Sequence, residues 1–486
     1  MSKILFTHSY FYKFDPKQWK NRQPYPPLGT ITAAAYVREQ GYDVDLFDTN
    51  LVDGPNDIVP IIEKEKPDYL VIYDDGFNYL TKMCLTLMRD AAYELIAIGK
   101  KYGCKVIVSS SDSTDQFVQY IEKGADVILL GEGELSLLET LNAFKANEGL
   151  EKVKGIVFKE GDGIKNNGRR LVVKDLDSLP MAAWDLVKMD DYKNIWFQNH
   201  GYFSLNIATT RGCPYSCNWC AKPIYGRKYN TRSAKNVADE IEYLISNFGV
   251  SYFWVCDDIF GLKPGWVQEF RDIVQSRKLD FKYMIQSRVD VMLKDDSIDA
   301  LAGSGLDIVW VGAESGSQNV LDAMEKGIKV EQVYEARKKL KEHGVRVAFF
   351  LQLGYPGETK EDILKTEKML LDLMPEDIGI SVSYPLPGTK FHEMVKDDLK
   401  EKANWTNSDD LSLMFKNNYS PEYYKVLHRY IHKKFRRKQG LQKIIAFLKN
   451  PLKNKTGIVR STVATLYHIP GIMLFRLKLN MLELKK

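Results

Sequence analysis

A chain of 486 residues is too long for one ordinary hydrophobic core and predicts two or three domains. With 44% hydrophobic and 27% charged residues, its composition excludes a disordered or fibrous protein. The net charge of +4 is unevenly laid: from Lys425 onward sixteen Lys and Arg face the single Glu483, so that tail carries +15 and the rest −11.

The first residues, MSKILFTHSYFYKF, read as a buried strand rather than a secretion signal, because no basic region precedes an apolar stretch. No uninterrupted apolar run approaches the ~18–20 residues that crossing a bilayer takes. Cys213, Cys217 and Cys220 are clustered, whereas Cys84, Cys104 and Cys256 are scattered among apolar neighbours. That is no disulfide framework, and it predicts a reducing, cytoplasmic setting.

Residues 1–145 alternate short apolar runs with helical patterns. KILFTH predicts a first strand, residues 30–40 a helix ending at Gly41, and DVDLFD, YLVIYDD, KVIVSSSD and DVILLGEGE four further strands. Such runs of Val, Ile and Leu, bounded by turn residues, predict a parallel sheet wrapped by helices. Ligands of these sheets sit beyond the carboxyl ends of the strands, which gathers residues 7–10, 25–29, 74–78, 109–112 and 131–134 around one crevice.

Residues 146–200 are rich in Gly, Asn and charge and predict a connector with a short hairpin inside it. A second strand–helix series occupies 201–395, with strands at FSLNIATT, SYFWVCDD, KYMIQSR, IVWVGAES, RVAFFLQL and DIGISVSY and helical patterns such as 236–247 and 330–343 between them. Six such units fit most of a parallel barrel, though not an eightfold one. Barrel chemistry sits at strand carboxyl ends, where the three cysteines, Asp257, Asp258, Arg288, Glu314 and Gly354 all fall. Residues 396–486 predict a helical basic region. Its mixed basic and apolar pattern suits solvated helices packed on the body, and equally a surface for anionic lipid heads or an acidic substrate. No nucleic-acid motif accompanies the charge, so nucleic acid is not an expected partner.

The stretch TTRGCPYSCNWCAKP concentrates three thiols in the spacing C-x3-C-x2-C. Thiolates bind soft metals. A 4Fe-4S cluster held wholly by protein takes four cysteines, one per iron, so three leave an iron open to a substrate or cofactor. Structural zinc needs a fourth Cys or His, yet the nearest upstream histidine is His200 and the next downstream is His343.

RGCPYSCNWC resembles the signature of the radical S-adenosylmethionine (SAM) superfamily, C-x3-C-x-aromatic-C, with Trp219 as the aromatic residue. The resemblance implies that Cys213, Cys217 and Cys220 ligate three irons of a 4Fe-4S cluster while SAM chelates the fourth. One electron would then split the sulfonium into methionine and a 5′-deoxyadenosyl radical. By the same matching, VCDDIF offers Asp257 and Asp258 to the SAM amino group and QSRVD offers Arg288 to its carboxylate. VGAESGS would place Glu314 and Ser315 near the ribose or methionine, and LGYPGET would bring Gly354 against the nucleoside.

YPPLGTITAAAYVREQGYDVDLFD and GADVILLGEGELSLLETL resemble the amino-terminal segments of the cobalamin-binding-domain subclass of that superfamily. The implied fold is α/β: a Rossmann-like cobalamin-binding-type domain (1–145), a connector (146–200), a partial (β/α)6 radical SAM barrel (201–395) and a helical basic C-terminal region. Cobalamin would lie against Tyr25, Pro27, Gly29, Ser109, Ser110, Gly131, Glu132 and Gly133. The implied activity is cobalamin-dependent methyl transfer or cyclisation on a large hydrophobic or anionic small molecule or lipid-like substrate. An external one-electron reductant of the flavodoxin or ferredoxin type would drive it, in the cytoplasm or at the inner membrane surface. Two departures stand out. D-x-H-x-x-G, the cobalt-ligating motif, is absent, and SSSDSTD replaces the Gly-Gly-Pro-His stretch of many relatives. Alternatives are a radical SAM enzyme without cobalamin, its first domain a substrate or docking module, and an iron–sulfur electron-transfer protein.

Overall fold

The computed structural model describes residues 2–220, 224–399, 403–452 and 456–484. Five short strands build the first sheet in parallel: β1 (Lys3–Thr7), β2 (Asp43–Phe47), β3 (Tyr69–Tyr73), β4 (Lys105–Ser109) and β5 (Val127–Leu129). Alternate side chains serve two cores. Leu5, Ile72 and Val108 pack on one face with Leu95, whereas Ile4, Phe6 and Val71 pack on the other with Leu137. A strand buried on both faces has to be apolar throughout, which is why YLVIY shows no alternation. The order β2-β1-β3-β4-β5 reverses direction at β1/β3, a topological switch point. The hairpin expected in the connector is present as β6 (Ile156–Glu160) and β7 (Gly163–Asn166). It extends this sheet antiparallel beyond β5.

Six parallel strands form the second sheet in sequence order: β8 (Ser204–Ile207), β11 (Tyr252–Val255), β12 (Lys282–Ser287), β13 (Leu306–Glu314), β14 (Arg346–Leu353) and β15 (Asp377–Val382). Helices connect them; the helix Ala234–Phe248 starts on a Ser233 side-chain cap and stops at Gly249 in the left-handed region. Between β8 and β11 the antiparallel pair β9 (Thr210–Arg211) and β10 (Asn230–Thr231) pinches off the loop that carries the cysteines.

The carboxyl edges of the two sheets face each other. Arg211, at the barrel mouth, donates to Glu132 at 2.5 Å and to Glu134 at 2.8 Å, all three buried. Lys82 reaches Asp258 at 2.5 Å, and Tyr225 stacks on Phe77 with ring centroids 5.5 Å apart. Residues 403–420, expected to be helical, instead run as an irregular strap across both sheets. The Thr86 amide donates to the Trp405 carbonyl, Asn404 accepts from Arg89, and Ser408 donates to Asp15, while Trp405 stacks on Tyr384 of the barrel. The side chains of this strap are spent on tertiary bonds that a helix face could not reach. Two long helices, Pro421–Lys449 and Ile458–Glu483, complete the chain.

Candidate active site at the facing sheet edges

The cysteine loop leaves β9 through Gly212, whose φ of +83° is left-handed and where a Cβ would meet the Lys228 carbonyl oxygen at 2.1 Å; only glycine fits. Asn218, between the second and third cysteines, pins the loop to the barrel. Its Nδ2 donates to the Ala323 carbonyl at 2.8 Å, its Oδ1 accepts from the Tyr355 hydroxyl at 3.0 Å, and its amide donates to the Met324 carbonyl at 3.1 Å. Arg288 lies 3.8 Å over the Tyr215 ring, is held by Asp290, and brings Nη1 within 3.8 Å of the Cys217 sulfur. Burial raises the Cys213 thiol. Cys220 is an exposed residue, yet the walls of the cleft around it desolvate its thiol and push it up to about 12, with Asp258 and the other two thiols adding to the effect.

The remaining barrel candidates occupy strand ends as expected, but several have spent their polar atoms. Asp257 is buried and accepts from the Thr209 and Thr210 amides at 2.7 and 3.0 Å and from the Thr209 hydroxyl. It therefore holds the entry to the cysteine loop, and burial lifts its carboxyl to about 6 despite those donors. Asp258 is paired with Lys82 of the first sheet's loops. Glu314, at φ +55°, accepts from the buried Lys326 at 2.8 Å. Ser315 bonds to Thr366 at 2.9 Å and accepts from the Ser317 amide. Gly354, at φ +76°, faces Tyr424, donates its amide to Glu358 at 2.7 Å and accepts from Asn417, so it meets the C-terminal segment. Trp219 lies under Lys326, 5.6 Å from the ring, and its Nε1 is buried without a partner among the described residues.

The first-sheet candidates divide in the same way. Tyr25 bonds to Ser204 and packs on Trp196 and Trp254, joining the two sheets. Pro27 precedes the helix Leu28–Glu39, and the Gly29 amide donates to Asp75 at 2.9 Å. The Ser109 carbonyl accepts from the Asp74 amide, and the Ser110 hydroxyl caps the turn beginning at Ser111. A Cβ on Gly131 would meet the Ile224 carbonyl, and one on Gly133 would meet the Tyr73 ring. Glu132 is taken by Arg211 and by the Val173 amide. In contrast, Thr7 Oγ1, Tyr10 Oη and Ser111 Oγ are buried with no partner among the described residues.

Among the described residues no three His, Cys, Asp or Glu side chains are gathered as a single ion requires. Zinc in a thiolate tetrahedron, with bonds of ~2.3 Å, would hold its sulfurs roughly 3.8 Å apart. A cubane puts each thiolate on a different iron and tolerates wider spacing, so a loop bearing three separated thiols suits a cluster better than one ion.

Residues 207–370 match the family model of the radical SAM superfamily. The barrel is a radical SAM domain. The chain is 28% identical over 387 residues to an uncharacterised methyltransferase of Pyrococcus horikoshii, covering 78% of this chain and 81% of the relative. It is also 28% identical over 302 residues to the anaerobic magnesium-protoporphyrin IX monomethyl ester cyclase of Cereibacter sphaeroides, spanning 60% of this chain and 49% of that enzyme. Among solved structures the fold is similar to the radical SAM methyltransferase TsrM from Kitasatospora setae, at a TM-score of 0.67, 18% identity, and 82% and 78% coverage of the two chains. It is also similar to the cobalamin-dependent radical SAM enzyme OxsB, at a TM-score of 0.71, 16% identity, and 99% and 80% coverage.

Sequence reasoning about this site missed Asn218, Lys326, Lys82 and Arg211. Asn218 lies inside the quoted motif and a buried amide anchor has no sequence signature. Lys326 follows a short helix twelve residues after Glu314, and nothing in EKG marks a buried lysine. Arg211 was within reach: it adjoins the motif, and a basic residue there opposite the acidic GEGE is a charge pairing visible once two edges are assumed to meet.

Proposed function

We propose that the chain is a cobalamin-dependent radical SAM enzyme that transfers a methyl group to, or cyclises, a hydrophobic or anionic small molecule. The observation that carries this reading is the apposition of the first sheet's carboxyl edge, through the loops after β3 and β5, with the barrel mouth that holds three thiols. Cys213, Cys217 and Cys220 would hold the cluster, which together with SAM supplies one-electron cleavage, while cobalamin supplies the transferable methyl group. The chain's own residues prepare this ground. Asp257 fixes the entry to the thiol loop, Asn218 pins it between the second and third cysteines, and Arg288 and Lys326 bring positive charge beside the thiolates, which favours their ionised, iron-binding form. Thr7, Tyr10 and Ser111 offer unclaimed polar atoms at the first sheet's edge to a large polar cofactor. His8 is committed to Asp48 and Thr49, so cobalamin would be held without a histidine on cobalt.

The relatives frame the substrate class: they include the protoporphyrin ester cyclases, the hopanoid C-3 methylase of Methylococcus capsulatus and a phosphonate methyltransferase of Streptomyces wedmorensis. A flavodoxin or ferredoxin would supply the electron. One observation favours a second reading, a radical SAM enzyme whose first sheet only docks substrate: Ile224 and Arg211 fill the space at Gly131–Gly133. The test is anaerobic purification and reconstitution with iron and sulfide, then reduction and addition of SAM, with bound cobalamin read by absorbance. Cluster formation without any SAM turnover refutes both readings. Turnover by a protein that binds no cobalamin leaves only the second.

A further inference from the structure

The two C-terminal helices form an antiparallel hairpin. Gly440 lets Thr465 approach so closely that a Cβ would stand 2.0 Å from its hydroxyl, Gly471 lies against Lys433, and Lys478 pairs with Glu422 at 2.6 Å. The first half of the hairpin is bonded to the barrel through Arg436–Asp377 and Lys434–Glu367, and the far end returns to it through Glu483, which accepts from Lys360 at 2.6 Å and from Tyr423.

What the hairpin turns outward is apolar. Of twenty-two large hydrophobic side chains exposed among the described residues, thirteen lie between Leu441 and Leu484. From Val459 through Val463, Leu466, Met473 and Leu477 to Met481 they recur three, four or seven residues apart, one stripe of a 3.6-residue period. A helix of a globular body turns that stripe inward; here only Thr465 and Leu479 of the C-terminal helix are buried. By length and composition Ile458–Glu483 is apolar enough to cross a membrane, and 6% of its most apolar window is buried. No uninterrupted apolar run had signalled this, because Arg460, His468, Arg476 and Lys478 break the sequence without breaking the face.

Charge selects the occupant. A second copy would bring one tail of +15 against another. An anionic lipid surface matches both features: Arg460 and Lys478 follow Val459 and Leu477 by one residue, a turn of ~100° to one flank of the stripe, and Arg476 lies on the other. We propose that the hairpin docks this protein on an anionic bilayer, the stripe lying along the interface and its flanking bases among the headgroups. It lies rather than crosses, because the carboxyl end of the C-terminal helix is tied to the body at Glu483 and Thr465 packs on Gly440 of a helix that is itself bonded to the barrel.

The test is co-flotation of the full-length protein with vesicles of phosphatidylcholine alone or mixed with phosphatidylglycerol. The wild type is expected to float with the mixed vesicles and at least tenfold less with the neutral ones. Arg460→Glu/Arg476→Glu should weaken binding about 30-fold or more, at ~1 kcal/mol per base. Leu474→Asp/Leu477→Asp, at residues 65% and 64% exposed, should abolish it while leaving the unfolding midpoint unchanged. Wild-type protein that ignores anionic vesicles, a stripe variant that still floats, or a lipid-free dimer dissociated by the same stripe substitutions would each overturn the proposal.

Discussion

Replacing Arg211 by Leu removes the one cation between Glu132 and Glu134, whose side chains are 6% and 2% exposed. Burial, then Glu134, already push the Glu132 carboxyl up against the opposing pull of Arg211. Without the guanidinium, two carboxylates face each other across a dry contact, and the ring faces of Tyr225 and Phe77, 5.1 and 5.7 Å from the cation, lose their partner. Breaking a buried pair on one side costs about 3–5 kcal/mol, a large share of a stability that is usually ~5–15 kcal/mol. The cost should fall as pH is lowered, since protonating Glu132, whose carboxyl is already pushed up, relieves it, and Glu132→Gln/Glu134→Gln should recover most of it at pH 7. Denaturant unfolding of the reconstituted protein under anaerobic conditions, from pH 5 to 8, measures both. A loss under 1 kcal/mol at pH 7, or one independent of pH, refutes the edge-to-edge ion pairing and with it the mutual placement of the sheets.

Glu358 is buried, accepts from the Gly354 amide, and burial lifts its carboxyl from 4.5 to about 8. The folded state keeps this proton longer than the unfolded state. Stability from this group is therefore full below about pH 4.5 and lost as pH rises through about 8, and Glu358→Gln should gain on the wild type by about 1.4 kcal/mol per pH unit across that window; parallel pH profiles would contradict this. Cys217→Ala should leave the reconstituted protein with a reduced iron and sulfide content and no SAM cleavage, and a full cluster in that variant would remove it from the ligand set. Asn218→Ala deletes two side-chain bonds of the loop and should cost about 2 kcal/mol together with faster cluster loss in air. Unchanged retention would show that the loop is held elsewhere.

Both strand series were readable because parallel strands buried on two faces leave contiguous runs such as YLVIY and RVAFFLQL, with glycine or polar caps between. The thiols were readable because spacing within one loop is local. What eluded the sequence is non-local. Asp257 and Ser315 stand at strand ends as expected, but whether their polar atoms are free depends on Thr209 and Thr366, which sequence distance hides. The strap at 403–420 fell inside the region read as helical from the mixed basic and apolar pattern of the tail, and its bonds to Thr86 and Asp15 lie more than three hundred positions away.

That strap sets an order of events. Both sheets, and the ion pairs of Arg211 and Lys82 that join their edges, are finished in chain order before Asn404, Trp405 and Ser408 leave the ribosome, so the strap is the later of two fastenings. Parting the two edges in the finished molecule therefore means loosening a buckle made of Trp405 and Tyr384 as well as the ion pairs beneath it.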